Sequence, residues 1–169
     1  MSAQTMTAGF TLTSADVAGG APIAKVHAFN GFGCGGGNIS PALSWSGAPP
    51  ETKSFALTCF DPDAPGGGFW HWVVFNIPPN VVHLSRGAGD PKSPAAPKGA
   101  TQSRTDYGTT GYGGPCPPPG DKPHRYQFTI FAVDVAKLDA DERSNAAAVA
   151  AKLKFHTLVN ATLTGLYGR

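Results

Sequence analysis

Apolar and polar positions alternate with a period of two in most stretches of this chain that carry any pattern, which predicts a molecule built of short strands. Phe10 to Thr13 alternates in this way, and Ile23 to Phe29 gives a second candidate. Leu43-Ser-Trp-Ser46 is a third, ended by the turn at Ala48-Pro-Pro50. Ser54 to Phe60 is a strong strand, and His71 to Ile77 pairs naturally with it because consecutive strands usually neighbour one another. Read at period two, Trp70, Trp72 and Val74 share one face of that second strand, and His71, Val73 and Phe75 share the other. Pro78-Pro79-Asn80 closes the unit, and Val81 to Leu84 adds a short strand. Arg125 to Val135 alternates well and becomes apolar on both sides toward its end, as an interior strand does. Between Ser85 and Pro123 there is no period. Its prolines and aromatic residues predict an ordered loop rather than a disordered one.

One helix is expected. The alanine-rich run Asn145 to Leu158 sets Val149, Leu153 and His156 along one stripe, and Asp139-Ala-Asp-Glu142 before it resembles a capping box. Ala161 to Tyr167 returns to strand-like residues. Many short strands, glycine and proline turns and one late helix, without βαβ alternation, argue for a mainly β molecule. The expected fold is an antiparallel β-sandwich with one main C-terminal helix and short helical turns, a single domain over residues 1–169.

Composition narrows the function classes. The formal net charge is only +2, and the five positive residues from Lys92 to Arg125 are scattered rather than clustered. No nucleic-acid footprint is therefore supported. The apolar runs are far too short for a membrane span. Met1 to Phe10 lacks the basic and apolar regions of a secretory signal, so a cytoplasmic location is expected. Cys34, Cys59 and Cys116 have no Cys-x-x-Cys spacing and do not read as a zinc site. Cys59 reads as a buried small hydrophobe. Cys34 and Cys116 both lie in glycine-rich loops, where a bridge is sterically conceivable and left open by the sequence.

Chemistry concentrates around Asp61 to Asn76. Asp61 and Asp63 are set among prolines, Asp61 directly before Pro62 and Asp63 between Pro62 and Pro65, which favours extended backbone and turns both acids to one side. A glycine hinge, Gly66 to Gly68, then leads to His71. A second histidine-headed strand begins at His124-Arg-Tyr126. If the two converge, aspartate beside imidazole favours the charged form of both groups. Gly113 and Gly114 could add backbone donors in a nest-like turn. Such a site suits a small zwitterion, phosphate plus amine. By contrast, Gly31-Phe-Gly-Cys-Gly-Gly36 matches a dinucleotide-binding pattern but runs into Asn38-Ile-Ser-Pro41, where no helix can start, and so predicts a tight loop.

Four separated motifs carry a resemblance. Asp61-Pro-Asp-Ala-Pro65, His71-Trp-Val-Val74, Gly111-Tyr-Gly-Gly-Pro-Cys-Pro-Pro118 and His124-Arg-Tyr126 look like the signatures of the phosphatidylethanolamine-binding protein family. Asn38-Ile-Ser-Pro41 and Leu163-Thr-Gly-Leu-Tyr-Gly-Arg169 are similar to its bacterial, Raf-kinase-inhibitor-like branch. The resemblance spans roughly residues 10 to 169. It implies a pocket at one end of a sandwich that takes phosphate, acetate or phosphorylated head groups. Carried over by motif, Asp61, Asp63 and His71 line it, and Pro118, His124 and Tyr126 close it. The segment from aspartate to histidine is shorter than in the animal proteins, and Trp70 stands where those carry a second histidine. The animal Raf-type kinase partners are therefore not carried over. In the bacterial branch the loops holding Cys34 and Cys116 often carry cysteines, bridged in exported members, which gives a periplasmic alternative if a signal peptide was removed.

The function expected is thus a non-enzymatic binding module for small anions or phospholipid head groups. It could regulate a partner protein such as a kinase or protease, as a monomer or homodimer, with no cofactor and no metal. The alternative is a metal-assisted hydrolase using the same aspartates and histidines, against which stands the lack of any His-Glu-x-x-His spacing. A nucleophilic Cys116 with His124 as base is weaker still, since Pro115 and Pro117 supply no oxyanion donors.

Overall fold

Ser54–Asp61 (β3) is almost wholly buried and sits at the centre of a five-stranded antiparallel sheet, which is why its sequence is apolar on both faces. Phe69–Ile77 (β4) pairs with it on one side and His124–Val133 (β7) on the other. The computed structural model describes residues 9–169, so the reading of Met1 to Phe10 as free of a signal falls mostly outside the described residues. Thr101–Gln102 (β6) flanks β4, and Thr157–Tyr167 (β8) flanks β7, giving the order β6-β4-β3-β7-β8. Thr11–Thr13 (β1), Leu43–Ser46 (β2) and His83–Leu84 (β5) form a second sheet in the order β1-β2-β5.

One face of the large sheet packs on the small sheet through Trp45, Leu57, Trp72, Val74, Phe128 and Ile130. On the other face, Ala56, Val73 and Phe75 meet the helix Ala146–His156 (α1) through Val149 and Leu153. Two layers and a covering helix together make the expected sandwich.

Several boundaries differ from the sequence reading. Ile23 to Phe29 is not a strand. Lys25–His27 is a 3-10 turn, folded there because the buried His27 sends Nδ1 to the carbonyl of Ile39 at 2.7 Å. The cap of α1 is Asn145, whose side chain accepts from the Ala148 amide. The acids from Asp139 to Glu142 lie in the preceding turn, where Asp141 accepts from Arg143. The helix stops at His156, and β8 starts at once with Thr157 because that segment pairs along the whole of β7. His156 does not join the buried stripe; it meets the half-exposed Asp134 at 2.9 Å. Trp70 and Trp72 also part company. Cys59 faces Trp72 while Phe60 faces Trp70, so β4 carries one extra residue, His71, and Trp70 turns to the helix side.

Apart from the two residues of β6, which pair with β4, the loop from Ser85 to Pro123 is fixed by polar contacts. Gln102 bridges the Trp72 indole and the Ala88 carbonyl, and the Tyr112 hydroxyl donates to the carbonyl of His27 at 2.7 Å.

Candidate functional site

The bulge at His71 decides where the site lies, since an extra residue re-aims its side chain relative to a regular strand. The His71 ring is buried at 2% exposure and lines a cavity of about 290 Å³ at one end of the sandwich. Burial pushes its pKa down to about 4, against the opposing pull of the Gly113 carbonyl and Asp61. The ring is neutral at physiological pH. The expectation that neighbouring acid would charge it is corrected, because desolvation outweighs attraction here.

Asp61 ends β3. Its Oδ1 accepts from the amide of Asp63 at 2.8 Å, and its Oδ2 meets Nδ1 of His124 at 2.7 Å. His124 opens β7, and its Nε2 reaches Asp121 at 3.0 Å. Burial disfavours charge on His124, but the bonds from Asp61 and Asp121 prevail and raise its pKa. Tyr126, two residues on and so on the same face, lies edge-on to His71 with ring centroids 5.1 Å apart. Burial, with Asp61 nearby, raises the Tyr126 pKa far out of the accessible range, so the phenol is a proton donor.

Asp61, His71, Pro118, His124 and Tyr126 thus surround one cavity. Asp63 does not. By capturing the Asp63 amide, the Asp61 carboxylate turns the chain over, and Asp63 faces outward to Arg125, whose amide and guanidinium reach it at 2.9 to 3.0 Å. That pairing lowers the Asp63 pKa to about 2. The glycine nest is also corrected. The Gly113 amide donates to the His71 carbonyl and the Gly114 amide to Asn38 Oδ1 at 2.8 Å, so neither amide is open to a ligand.

Phe32, Phe69, Tyr107 and Arg169 also line the cavity and are not among the residues expected there. Tyr107 comes from the aperiodic loop, stacks on Phe29 at 4.0 Å and is pinned by a bond to the Gly114 carbonyl. Phe32 projects from the glycine loop at φ +52, 78% exposed at the mouth. Arg169 anchors to the Pro117 carbonyl through Nε at 2.7 Å and adds a permanent cation. No local pattern marks a residue two positions beyond the end of a strand as a pocket wall. A run of aromatics near a candidate histidine could have flagged Phe69.

Cys34 and Cys116 are joined by a disulfide, with Cα atoms 5.7 Å apart across 82 residues of sequence. A bridged Cys116 is no nucleophile, which removes that reading. Among the described residues no three histidine, cysteine or acidic side chains are placed to hold a metal. Both nitrogens of His124 and Nδ1 of His71 are already engaged.

Comparison with known proteins agrees with this geometry. Residues 13–168 match the family described as Phosphatidylethanolamine-binding protein. The UPF0098 protein YbcL of Escherichia coli K12 is 47% identical over 161 residues, covering 95% of this chain and 88% of YbcL. YbhB of the same organism is 46% identical, covering 92% of this chain and 98% of YbhB. The crystal structure of E. coli YbcL, described as a new member of the mammalian PEBP family, superposes with a TM-score of 0.92 over 95% of this chain and 98% of that one, at 46% identity.

Proposed function

The chain belongs to the phosphatidylethanolamine-binding protein family, and from that premise we propose that its end cavity binds small phosphorylated anions, a phosphoethanolamine-like head group among them. The observation that carries the reading is the make-up of the cavity. A buried imidazole and a protonated phenol sit within it, Arg169 stands at its wall, and Phe32, Phe69 and Pro118 form an apolar collar. A small apolar cavity with a few convergent polar groups is the usual form of a ligand site. The collar would keep water from the head group, and the wall cation would offset its charge.

The module is read as non-enzymatic, acting on a partner protein through the occupied pocket. The metal-assisted alternative has no support in the ligand geometry: both nitrogens of His124 are taken by Asp61 and Asp121, His71 keeps only Nε2 open, and among the described residues no three candidate ligands lie together. The disulfide favours an oxidising compartment, the periplasm or beyond, over the cytoplasm. No helix among the described residues is long and apolar enough to cross a membrane.

The test is thermal. Phosphoethanolamine at a hundredfold excess over its dissociation constant adds about 2.7 kcal/mol, a rise in Tm of roughly 5 to 10 °C for a domain this size. Tyr126→Phe and Arg169→Ala are expected to shrink the shift, and Asp63→Ala to leave it intact. A wild-type Tm unmoved by millimolar ligand sinks the proposal.

A further inference from the structure

The cavity's imidazole is held in one tautomer. His71 Nδ1 lies 2.7 Å from the carbonyl oxygen of Gly113. A carbonyl has no hydrogen to give, so Nδ1 carries the proton and donates it. In the neutral ring Nε2 is then a bare lone pair. It is the ring's remaining polar atom. The bond to Gly113 is the one this ring makes among the described residues; the other backbone oxygen near it, that of Gly114, is also an acceptor and is taken by the Tyr107 hydroxyl. The ring lines the cavity.

The neighbouring groups do not change that polarity. From β3, Asp61 has both oxygens occupied, one by the Asp63 amide and one by His124. From β7, His124 has both nitrogens on carboxylates, Asp61 and Asp121, and Tyr126 offers a phenol. From the long loop come the Tyr107 ring, whose hydroxyl is spent on Gly114, and Asp106, which accepts from the Trp70 amide. Arg169 lies at the wall, tied to Pro117. An oxyanion entering this site therefore finds donors on the Tyr126 and Arg169 sides but meets a lone pair at His71. Two acceptors facing each other without a hydrogen between them are repulsive, and leaving such a buried group unpaired is costly.

We infer that the site selects oxyanions that bring their own hydrogen, whose O–H donates to His71 Nε2, over anions of equal shape that have none. The inference rests on the anion-binding reading above and specifies the ligand's protonation state. Monohydrogen or dihydrogen phosphate keeps its proton and shares it with Nε2, and no covalent bond changes. Sulfate has no hydrogen at neutral pH. It binds only if one solvent proton moves onto Nε2, making an imidazolium that donates to a sulfate oxygen while Nδ1–H stays on Gly113. Burial of the ring opposes that uptake and holds its pKa near 4 when the site is empty.

Two similar tetrahedral anions thus separate the possibilities. Titration calorimetry of the whole chain with inorganic phosphate and with sulfate, at constant ionic strength between pH 5 and 8, in two buffers of different ionisation heat, counts the protons taken up. The expected result is phosphate binding at least about tenfold tighter than sulfate at pH 7. Sulfate binding should take up close to one proton and weaken about tenfold per unit rise in pH. His71→Gln, with an amide in place of Nε2, should flatten the pH dependence of sulfate. The proton count on the wild type decides the matter whether or not that variant folds. Equal affinities with no proton uptake would overturn the inference and leave anion binding standing. No heat and no thermal shift with either anion would overturn both.

Discussion

His71 and His124 stand on one cavity wall yet bind protons in opposite senses, because burial dominates one and paired carboxylates dominate the other. The His71 pKa falls from an ordinary 6.5 to about 4, so its contribution to stability is present above the ordinary value. It is lost as pH falls from there toward 4. Linkage makes that loss about 3 kcal/mol across the window. The His124 pKa is raised, so its contribution is complete below the ordinary value and is lost as pH rises through the raised one. Urea midpoints are therefore expected to peak near the pKa of a free imidazole and fall on both sides. Asp61→Asn should remove most of the alkaline limb and keep the acid one; an alkaline limb unchanged in that variant would show that His124 is not held by Asp61. Much at this scale could be read from the chain. Prolines and strand heads mark Asp61, His71 and His124 by local context, whereas Pro118 and Tyr126 are reached only through the family's motifs. Asp63 could not be placed, because a side chain capturing an amide two residues on reverses a segment that proline alone would extend. Arg169 and Tyr107 carry no local mark; pairing and loop contacts far along the sequence bring them in.

The fourth strand shows where periodicity stops being informative. Relative to β3 it holds two extra residues, one at His71 and one near Asn76, and each shifts the alternation by one position. Counting by twos from Trp70 therefore puts it on the wrong face, although the strand, its partner and its antiparallel sense follow from pattern and order. Nothing in the residues announces the first bulge. The second has a faint signal, since asparagine tolerates the left-handed conformation Asn76 adopts at φ +59. Asn76 Oδ1 also accepts from the amide of Leu138 at 2.8 Å, tying the strand to the segment leading to α1. The two roles can be separated. Asn76→Gly keeps the backbone and loses the bond, costing about 1–2 kcal/mol, whereas Asn76→Ala adds left-handed strain of about 1–2 kcal/mol. Equal urea midpoints for the two variants would mean that the conformation is not strained.

Across the whole molecule, the cavity is an assembly of segments that meet only after the sheets form. Walls come from the ends of β3, β4 and β7, from Arg169 just beyond β8, from the glycine loop and from the proline loop. Sheets follow from strand patterns, and so the architecture was legible; convergence of loops depends on contacts over tens of residues, and sequence proximity does not encode it. The bridge between Cys34 and Cys116 is the covalent form of that convergence, joining the loop that carries Phe32 to the loop that carries Pro118. Closing 82 residues can stabilise by up to about 4 kcal/mol through the unfolded chain. The two sheets share a large core cluster to which Cys34 and Cys116 do not contribute, so the doubly substituted Cys34→Ser, Cys116→Ser chain should still fold, at a urea midpoint lowered accordingly. Its ligand affinity reports a separate matter. Cys116 itself lines the cavity and Phe32 stands two residues from Cys34, so freeing the glycine loop should loosen the mouth and weaken phosphoethanolamine binding several-fold, even where the variant is fully folded. Were affinity unchanged under those conditions, the bridge would serve stability alone, and the mouth would be held by the stacking of Phe32 on Phe29 and Tyr107.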